Sequence, residues 1–260
     1  MTTITTTTTI MTTTTAPGTF VGNLTYTSSA LIKSDYPTAS TYTVVTGSID
    51  IRNLEATFTL LFLPALRAVN GYIFLAGNAG LSNFTFAMLT SVGLDLYLGN
   101  HLLLTAIVCP ALTSVGGFFY VLTSKLYTLS LPLLANVSGS LSLFSSTGTL
   151  TVLSLPSLVD VGKYVLVVDY NSLLTVDFTS LAKVGGYMQV YLNGGVTSLS
   201  APSLTSVGDY FTITDCGSLT SISMPVLTSV GSFVQICSGN SSLATPLNIL
   251  QVGTAHDTRK

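Results

Sequence analysis

The sequence predicts an all-β protein, a solenoid of about nine coils in which each coil has 22–24 residues. Three observations predict this fold class. A valine returns at nearly constant spacing, apolar residues alternate after each valine, and the composition suits strands far better than helices.

The valine column is the strongest of these observations. Its members are Val45, Val69, Val92, Val115, Val137, Val161, Val184, Val207 and Val230. A glycine follows each valine directly or one residue later, and a proline precedes six of them by five residues. The proline marks a corner because it cannot donate to a central ladder. The glycine supplies either a positive φ or room for close backbone approach.

The alternation after each valine indicates a strand with one buried face. The predicted inward pairs are Ile73/Leu75, Leu96/Leu98, Phe119/Val121, Leu141/Leu143, Val165/Val167, Met188/Val190, Phe211/Ile213 and Val234/Ile236. Stacked coils place each residue about 4.8 Å from its counterpart in the next coil. A single coil cannot bury its apolar side, whereas nine stacked coils form a continuous core.

The composition excludes several classes of protein. Charged residues make up 7% of the chain, against roughly 25% in average globular proteins. The net charge of −2 provides no electrostatic footprint for nucleic acid. The longest apolar stretches contain Pro64 and Pro110 and are shorter than the ~20 residues of a membrane-spanning helix. We therefore expect no nucleic-acid partner, no transmembrane segment, no metal and no cofactor.

The chain divides into four predicted segments. These are residues 1–19, a Thr-rich low-complexity arm; 20–44, an N-terminal cap or degenerate coil; 45–247, the solenoid repeats; and 248–260, a C-terminal tail. The second segment is assigned as a coil because Val21 lies 24 residues before Val45. The arm is a candidate element for assembly or attachment.

The three cysteines leave two alternatives open, a disulfide bond or free thiols. Cys216 and Cys237 fall on neighbouring coils, two positions out of register, and Cys109 lies far from both in sequence. A disulfide between the first two is compatible with this spacing. Two buried free thiols are the favoured alternative.

The repeat motifs resemble those of a known family. The motifs PSLTSVGDYFTIT (Pro202–Thr214), ALTSVGGFFYV (Ala111–Val121) and TSLAKVGGYMQVYLN (Thr179–Asn193) are similar to the repeats of receptor L domains. They are most similar to those of fungal GPI-anchored cell-wall proteins and related leucine-rich surface proteins. The resemblance spans about Val45 to Leu247. It implies a right-handed β-solenoid (β-helix) of leucine-rich, L-domain-like coils, display at a cell surface, and a binding or wall-organising role.

The two ends of the chain depart from this family. The N-terminus lacks the basic start and apolar stretch of a signal peptide, and the chain ends in HDTRK instead of a hydrophobic anchor signal. The cysteine-rich caps of animal receptors are also missing. The expected location is a cell surface or the extracellular space, or a virion or similar particle.

The outward positions of the main strand carry the candidate binding residues. They form two columns, in which aromatic side chains predominate. The predicted binding residues are Tyr72, Phe74, Tyr97, Phe118, Tyr120, Tyr164, Tyr187, Tyr210 and Phe233. Such a strip can form a protein interface or stack on sugar rings. It can also simply stabilise neighbouring coils.

Two further hypotheses receive little support from the sequence. Asp169 and Asp215 occupy the same repeat position two coils apart, roughly 9.6 Å, near the upper range for an inverting pair of carboxylates. Leu192 lies between them, and no histidine or basic residue shares their column. We therefore predict no catalytic residues and no enzyme. Recurrent Thr-Ser pairs suggest an ice-binding face, but charged residues such as Lys183 interrupt that column.

The expected function is that of a non-catalytic structural or surface interaction protein, which self-assembles or binds a protein through one solenoid face. The alternative is a carbohydrate-binding module of a cell wall or cell surface. A β-helical polysaccharide-active enzyme is the least favoured alternative.

Overall fold

The computed structural model describes residues 17–26, 28–54, 63–123, 125–145, 149–237 and 251–252. Over these residues the chain forms one helix, α1 (Ser29–Ala39), and 28 strands. The strands are β1 (Thr19–Phe20), β2 (Leu24–Tyr26), β3 (Val44–Val45), β4 (Ile49–Arg52), β5 (Ala68–Val69), β6 (Ile73–Ala76), β7 (Asn83–Thr85), β8 (Ser91–Val92), β9 (Leu96–His101), β10 (Ala106–Val108), β11 (Ser114–Val115), β12 (Phe119–Thr123), β13 (Thr128–Ser130), β14 (Asn136–Val137), β15 (Leu141–Phe144), β16 (Val152–Ser154), β17 (Asp160–Val161), β18 (Val165–Val168), β19 (Thr175–Asp177), β20 (Lys183–Val184), β21 (Met188–Tyr191), β22 (Ser198–Ser200), β23 (Ser206–Val207), β24 (Phe211–Thr214), β25 (Ser221–Ser223), β26 (Ser229–Val230), β27 (Val234–Cys237) and β28 (Gln251–Val252).

These strands stack as parallel sheets around a common core, which confirms the predicted β-solenoid of about nine turns. The first sheet contains eleven two-residue strands in the order β1-β3-β5-β8-β11-β14-β17-β20-β23-β26-β28. The second, which we call the main sheet, has the order β2-β4-β6-β9-β12-β15-β18-β21-β24-β27. The remaining side of the coil carries two smaller sheets, β7-β10-β13 and β16-β19-β22-β25.

The buried residues follow the predicted columns. Every member of the valine column is at most 1% exposed. The alternating pairs from Ile73/Leu75 to Phe211/Ile213 are also buried. Val234 and Ile236, in the last described strand of the main sheet, are only partly buried. The period-two pattern therefore predicts the inward face of the main sheet correctly.

The glycine after each valine leaves room for the backbone of the neighbouring coil. A Cβ atom added at Gly116, Gly185 or Gly208 would lie less than 3.0 Å from the carbonyl oxygen of the corresponding glycine one coil earlier. None of the three has a positive φ. Of the two roles expected for this glycine, close backbone approach is therefore the one that applies.

The threonines of the Thr-Ser pairs form hydrogen bonds between coils. Each hydroxyl donates to a backbone carbonyl oxygen one coil earlier, over 2.8–3.3 Å. The donors are Thr90, Thr113, Thr205 and Thr228. Because the single hydroxyl proton is used within the solenoid, these threonines are explained by coil stacking without an ordered-water lattice.

The N-terminal region differs in detail from the sequence prediction. Phe20, and not Val21, pairs in register with Val45. The following helix α1 was not predicted, since the surrounding sequence reads as strands and turns. Its N-terminus is capped by the Ser28 hydroxyl, which accepts a hydrogen bond from the Leu31 amide over 3.3 Å. Leu31 packs against the core.

A hydrogen bond links this helix to the main sheet. The Tyr26 hydroxyl donates to Asp35 over 2.5 Å. Burial raises the pKa of Tyr26 above its usual range, and the adjacent Asp35 carboxylate raises it further. The Tyr26 hydroxyl is therefore protonated at neutral pH and donates this hydrogen bond.

The predicted terminal segments are described only in part. Residues 1–16 of the predicted arm lie outside the described residues, as do residues 248–250 and 253–260 of the predicted tail. Gln251 and Val252 pair in register with Ser229 and Val230. The backbone of the valine column thus continues to Val252. No helix within the described ranges is long and apolar enough to cross a membrane.

Cys109 and Cys216 are buried free thiols. Burial raises the pKa of the Cys109 thiol to about 12 and that of the Cys216 thiol to about 11. The backbone of Cys237 pairs with that of Thr214, two positions before Cys216, as the spacing predicts. Because buried thiols with a high pKa form little thiolate, both side chains act as core residues.

We expect Gly208→Ala to lower the free energy of unfolding by about 1–3 kcal/mol, the usual cost of overpacking. The added methyl group would collide with the Gly185 carbonyl, so the two coils would have to separate. Urea unfolding followed by circular dichroism measures the change. The matched control is Gly194→Ala, since a Cβ at that position meets no atom within 4 Å. Equal destabilisation by both substitutions would contradict the close-approach explanation.

Candidate functional site

The outer face of the main sheet carries two stacks of aromatic rings. The first, the N-terminal ladder, contains Phe74, Tyr97, Tyr120 and Phe144. Its first two ring pairs have centroids 4.4 and 4.8 Å apart and are within 5° of parallel. Phe144 is tilted by 41° against Tyr120 at 5.4 Å. Strand pairing explains the stack, because Phe74, Tyr97 and Tyr120 occupy equivalent positions in β6, β9 and β12.

The second stack, the C-terminal ladder, contains Tyr164, Tyr187, Tyr210 and Phe233. The centroid distances are 4.6, 4.7 and 5.2 Å, and the rings lie within 11° of parallel. All four side chains are half-buried, which places them on the outer face and not in the core. The predicted aromatic columns therefore exist, each over half of the sheet.

The stacking changes how these residues can act. Rings that lie parallel at 4.4–4.8 Å cover one another's faces. They direct their edges and hydroxyl groups away from the sheet. A sugar ring needs an exposed aromatic face for stacking, so the inside of a ladder does not provide that surface. We therefore expect the ladders to stabilise neighbouring coils, with ring faces available only where a ladder ends or is interrupted.

The two ladders lie in different columns. In the coil of β15, the positions equivalent to Tyr120 and Tyr164 are serines, Ser142 and Ser140, which are 3% and 0% exposed. The ring of that coil, Phe144, lies two residues further along the strand than Ser142. The positions equivalent to Ser142 in the adjacent coils carry larger residues, Tyr120 and Leu166, which agrees with its low exposure. Thr212, also predicted to face outward, is likewise only 3% exposed. Outward direction thus does not ensure exposure on this sheet.

A groove of about 400 Å³ lies on the N-terminal half of the main sheet. Its lining residues are Arg52, Tyr72, Phe74, Asp95, Tyr97, Phe118, Tyr120, Ser142 and Tyr164. The N-terminal ladder forms one side. Tyr72, Asp95 and Phe118, which follow one another in the adjacent column, form the other side. Six of the nine predicted binding residues meet here, whereas Tyr187, Tyr210 and Phe233 do not line the groove.

Asp95 is the carboxylate of this groove. Its Oδ1 accepts a hydrogen bond from the Phe118 amide in the next coil over 2.7 Å. Gly117 leaves room for this oxygen, since a Cβ there would collide with it. Asn23 and Ser48 accept bonds from the next coil in the same way, at 2.8 and 3.1 Å. We call this hydrogen bond, from a backbone amide to a side-chain oxygen of the preceding coil, the capping of that amide. Capping requires an acceptor oxygen but no charge.

Tyrosine hydroxyl groups lie close together along the groove. Burial raises the pKa of Tyr120, and the nearby hydroxyls of Tyr97 and Tyr164 raise it further. The Tyr120 hydroxyl is therefore protonated at neutral pH. It offers both a donor and an acceptor to a polar ligand.

Two cations lie on aromatic faces near the groove. The Arg52 guanidinium is 4.2 Å from the Phe74 ring centroid and forms two 2.7 Å hydrogen bonds with Asp50. The Lys163 ammonium is 5.0 Å from the Phe118 ring centroid. Arg52 lies over Phe74, the first ring of the N-terminal ladder, and Lys163 lies over Phe118, which belongs to neither ladder.

Asp95, Arg52 and Ser142 were not among the predicted binding residues. The signal for Asp95 was present in the sequence, since it interrupts an aromatic column between Tyr72 and Phe118. The approach of Arg52 depends on its side-chain conformation, which repeat spacing does not specify.

The carboxylates considered for catalysis have a backbone role. Asp169 and Asp215 have φ values of 63° and 55°, and Leu192 between them has the same left-handed conformation at 56°. The residues that follow, Tyr170 and Cys216, turn into the core and are buried. Aspartate tolerates this conformation better than most residues. Within the described residues, no group of three or more potential metal ligands is present.

No family model, curated protein or solved structure matches this chain. The resemblance to L-domain repeats therefore rests on the repeat motifs. The β-solenoid architecture rests on the sheet topology.

We expect Tyr187→Leu to lower the free energy of unfolding by about 1–3 kcal/mol, since Tyr187 stacks on two neighbours and each aromatic pair contributes about 0.5–1.5 kcal/mol beyond its buried area. Chemical denaturation measures the loss. Tyr127→Leu is the control, because Tyr127 is 53% exposed and lies outside both ladders. A Tyr187 substitution as mild as the control would contradict a stabilising role of the ladder.

Proposed function

We propose that the chain is a non-catalytic interaction protein that binds a carbohydrate chain in the groove of the main sheet. The observation that carries this proposal is the combination of aromatic side chains, tyrosine hydroxyls and one carboxylate in a single concave site. Carbohydrates present apolar ring faces together with many hydroxyl groups. A site of this composition can satisfy both.

The shape of the groove favours a chain over a monosaccharide. Its lining residues come from β4 to β18 and the segments beside them, which spans five strand spacings, or roughly 24 Å. The volume of about 400 Å³ is at the lower end of the range for small-molecule sites, roughly 300–1,000 Å³. A shallow, elongated site of this kind suits a short stretch of a polysaccharide.

The single carboxylate supports binding over hydrolysis. Glycoside hydrolysis ordinarily uses two carboxylates on opposite sides of the scissile bond. Of the described residues that line the groove, Asp95 alone carries a carboxylate. A carbohydrate-binding role is compatible with display at a cell surface or in the extracellular space, which we propose as the location.

The double variant Tyr72→Ala, Phe118→Ala is expected to lose polysaccharide binding, because it removes the two rings beside Asp95. Calorimetry with cello-, chito-, laminari- and manno-oligosaccharides, and pull-down with the corresponding insoluble polymers, measure binding. Tyr127→Ala serves as the control outside the groove. A wild-type protein that binds none of these would refute the proposal.

Self-association is a second candidate, favoured by the outward row of edges and hydroxyls on the C-terminal ladder. Ten strands of about four residues make a face of roughly 43 by 13 Å. This is less than the ~800 Å² per partner of a standard interface, so the face alone would form a weak dimer.

Light scattering at increasing protein concentration tests this candidate. A dimer should dissociate when Tyr187 and Tyr210 are both replaced by serine. Full-length protein should be compared with a variant lacking residues 1–16, which leaves β1 in place. Assemblies that vanish on that truncation would instead assign self-association to the Thr-rich arm, and a monomer throughout would exclude it.

A further inference from the structure

The column that borders the groove places one carboxylate between two aromatic rings. Tyr72, Asp95 and Phe118 occupy equivalent positions in three consecutive coils. The two aromatic residues are therefore two strand spacings apart, roughly 9.6 Å. The coil between them carries Asp95 at this position and no aromatic ring. In the two ladders, by contrast, every coil carries a ring. A slot remains between them, with Asp95 at its base.

The orientation of Phe118 supports an open face toward this slot. Lys163 lies over the Phe118 ring at 5.0 Å from its centroid. Lys163 belongs to a coil that comes two turns after that of Phe118. Its ammonium covers one face, so the opposite face is directed toward the coil of Asp95. Phe118 is 39% exposed, which agrees with an incompletely covered ring.

The charge of Asp95 exceeds what the fold requires. Asn23 and Ser48 perform the same capping with neutral oxygens. The capping bond from the Phe118 amide engages Oδ1 of Asp95. Because Asp95 also lines the groove, its carboxylate can accept hydrogen bonds from a ligand in addition to capping the next coil.

The surrounding charges indicate a neutral ligand. Lys163 covers Phe118, so a cationic ligand in the slot meets a like charge there, while Arg52 at one end of the groove is paired with Asp50. An anionic ligand meets the Asp95 carboxylate at the base of the slot. A neutral, hydroxyl-rich ring avoids both repulsions.

We propose that this slot is the specificity-determining subsite for one neutral pyranose ring of the carbohydrate chain. This inference rests on the proposed function. The ring lies between Tyr72 and Phe118, and Asp95 accepts hydrogen bonds from two neighbouring hydroxyl groups. Hydrogen bonds to a charged acceptor are about twice as strong as neutral ones, which makes Asp95 the main polar determinant. Uronic acids are excluded by charge repulsion.

The test uses Asp95→Asn in the full-length chain. Asparagine keeps the capping oxygen, as Asn23 does in the same column, so the melting temperature should remain unchanged. Affinity for the best neutral oligosaccharide should fall at least tenfold by calorimetry. Asp209→Asn is the matched control, because Asp209 is an exposed acid outside the groove. The same panel includes oligomers of polygalacturonate and alginate, which wild-type protein should not bind.

The outcomes separate this inference from the proposed function. Neutral sugars that bind wild type and Asp95→Asn equally would overturn the slot while leaving carbohydrate binding intact. Acidic oligomers that bind as well as neutral ones would also overturn it. Binding of an arginine-rich peptide with no sugar binding would overturn both, since the slot would then be a cation site.

Discussion

Hydrogen bonding between successive coils is the constraint on which the rest of this structure depends. Each coil must lie about 4.8 Å from the next so that the backbone groups of parallel strands can pair. At the corner after the valine column the backbones approach so closely that a Cβ added at most of its glycines, such as Gly116, Gly185 and Gly208, would collide with the preceding coil. The same spacing aligns equivalent residues into columns. Threonine hydroxyls then bond to the preceding coil, and valines form an uninterrupted apolar row.

The same alignment determines where a ligand can bind. When consecutive coils carry aromatic residues in one column, the rings stack and hide their own faces. A usable surface arises where the column changes residue type. Asp95 breaks one column between Tyr72 and Phe118, and Ser140 and Ser142 interrupt the aromatic columns in the coil of β15. Irregularities in the repeat, more than the repeat itself, therefore define the candidate site.

The corners after the main strands show that a recurrent polar residue need not be functional. Asn53, Asn100 and Asp215 share a left-handed backbone conformation, and the chain then turns its next side chain inward. His101, which follows Asn100, is 1% exposed, and its Nδ1 lies 3.3 Å from the Asn78 carbonyl oxygen. The geometry of the turn accounts for these residues without a ligand.

The sequence by itself determined the coil length, the valine column, the inward face of the main sheet and the aromatic columns. In a strict repeat, residues separated by one repeat length occupy the same position in successive coils. The sequence did not indicate helix α1, whose residues fall outside the repeat, or the one-residue shift that pairs Phe20 with Val45. Only the tertiary structure decided that ladder rings cover one another and that Ser142 is buried. It also decided that Arg52 and Lys163 lie over the Phe74 and Phe118 rings. These features depend on side-chain conformations between coils, which periodicity leaves unspecified.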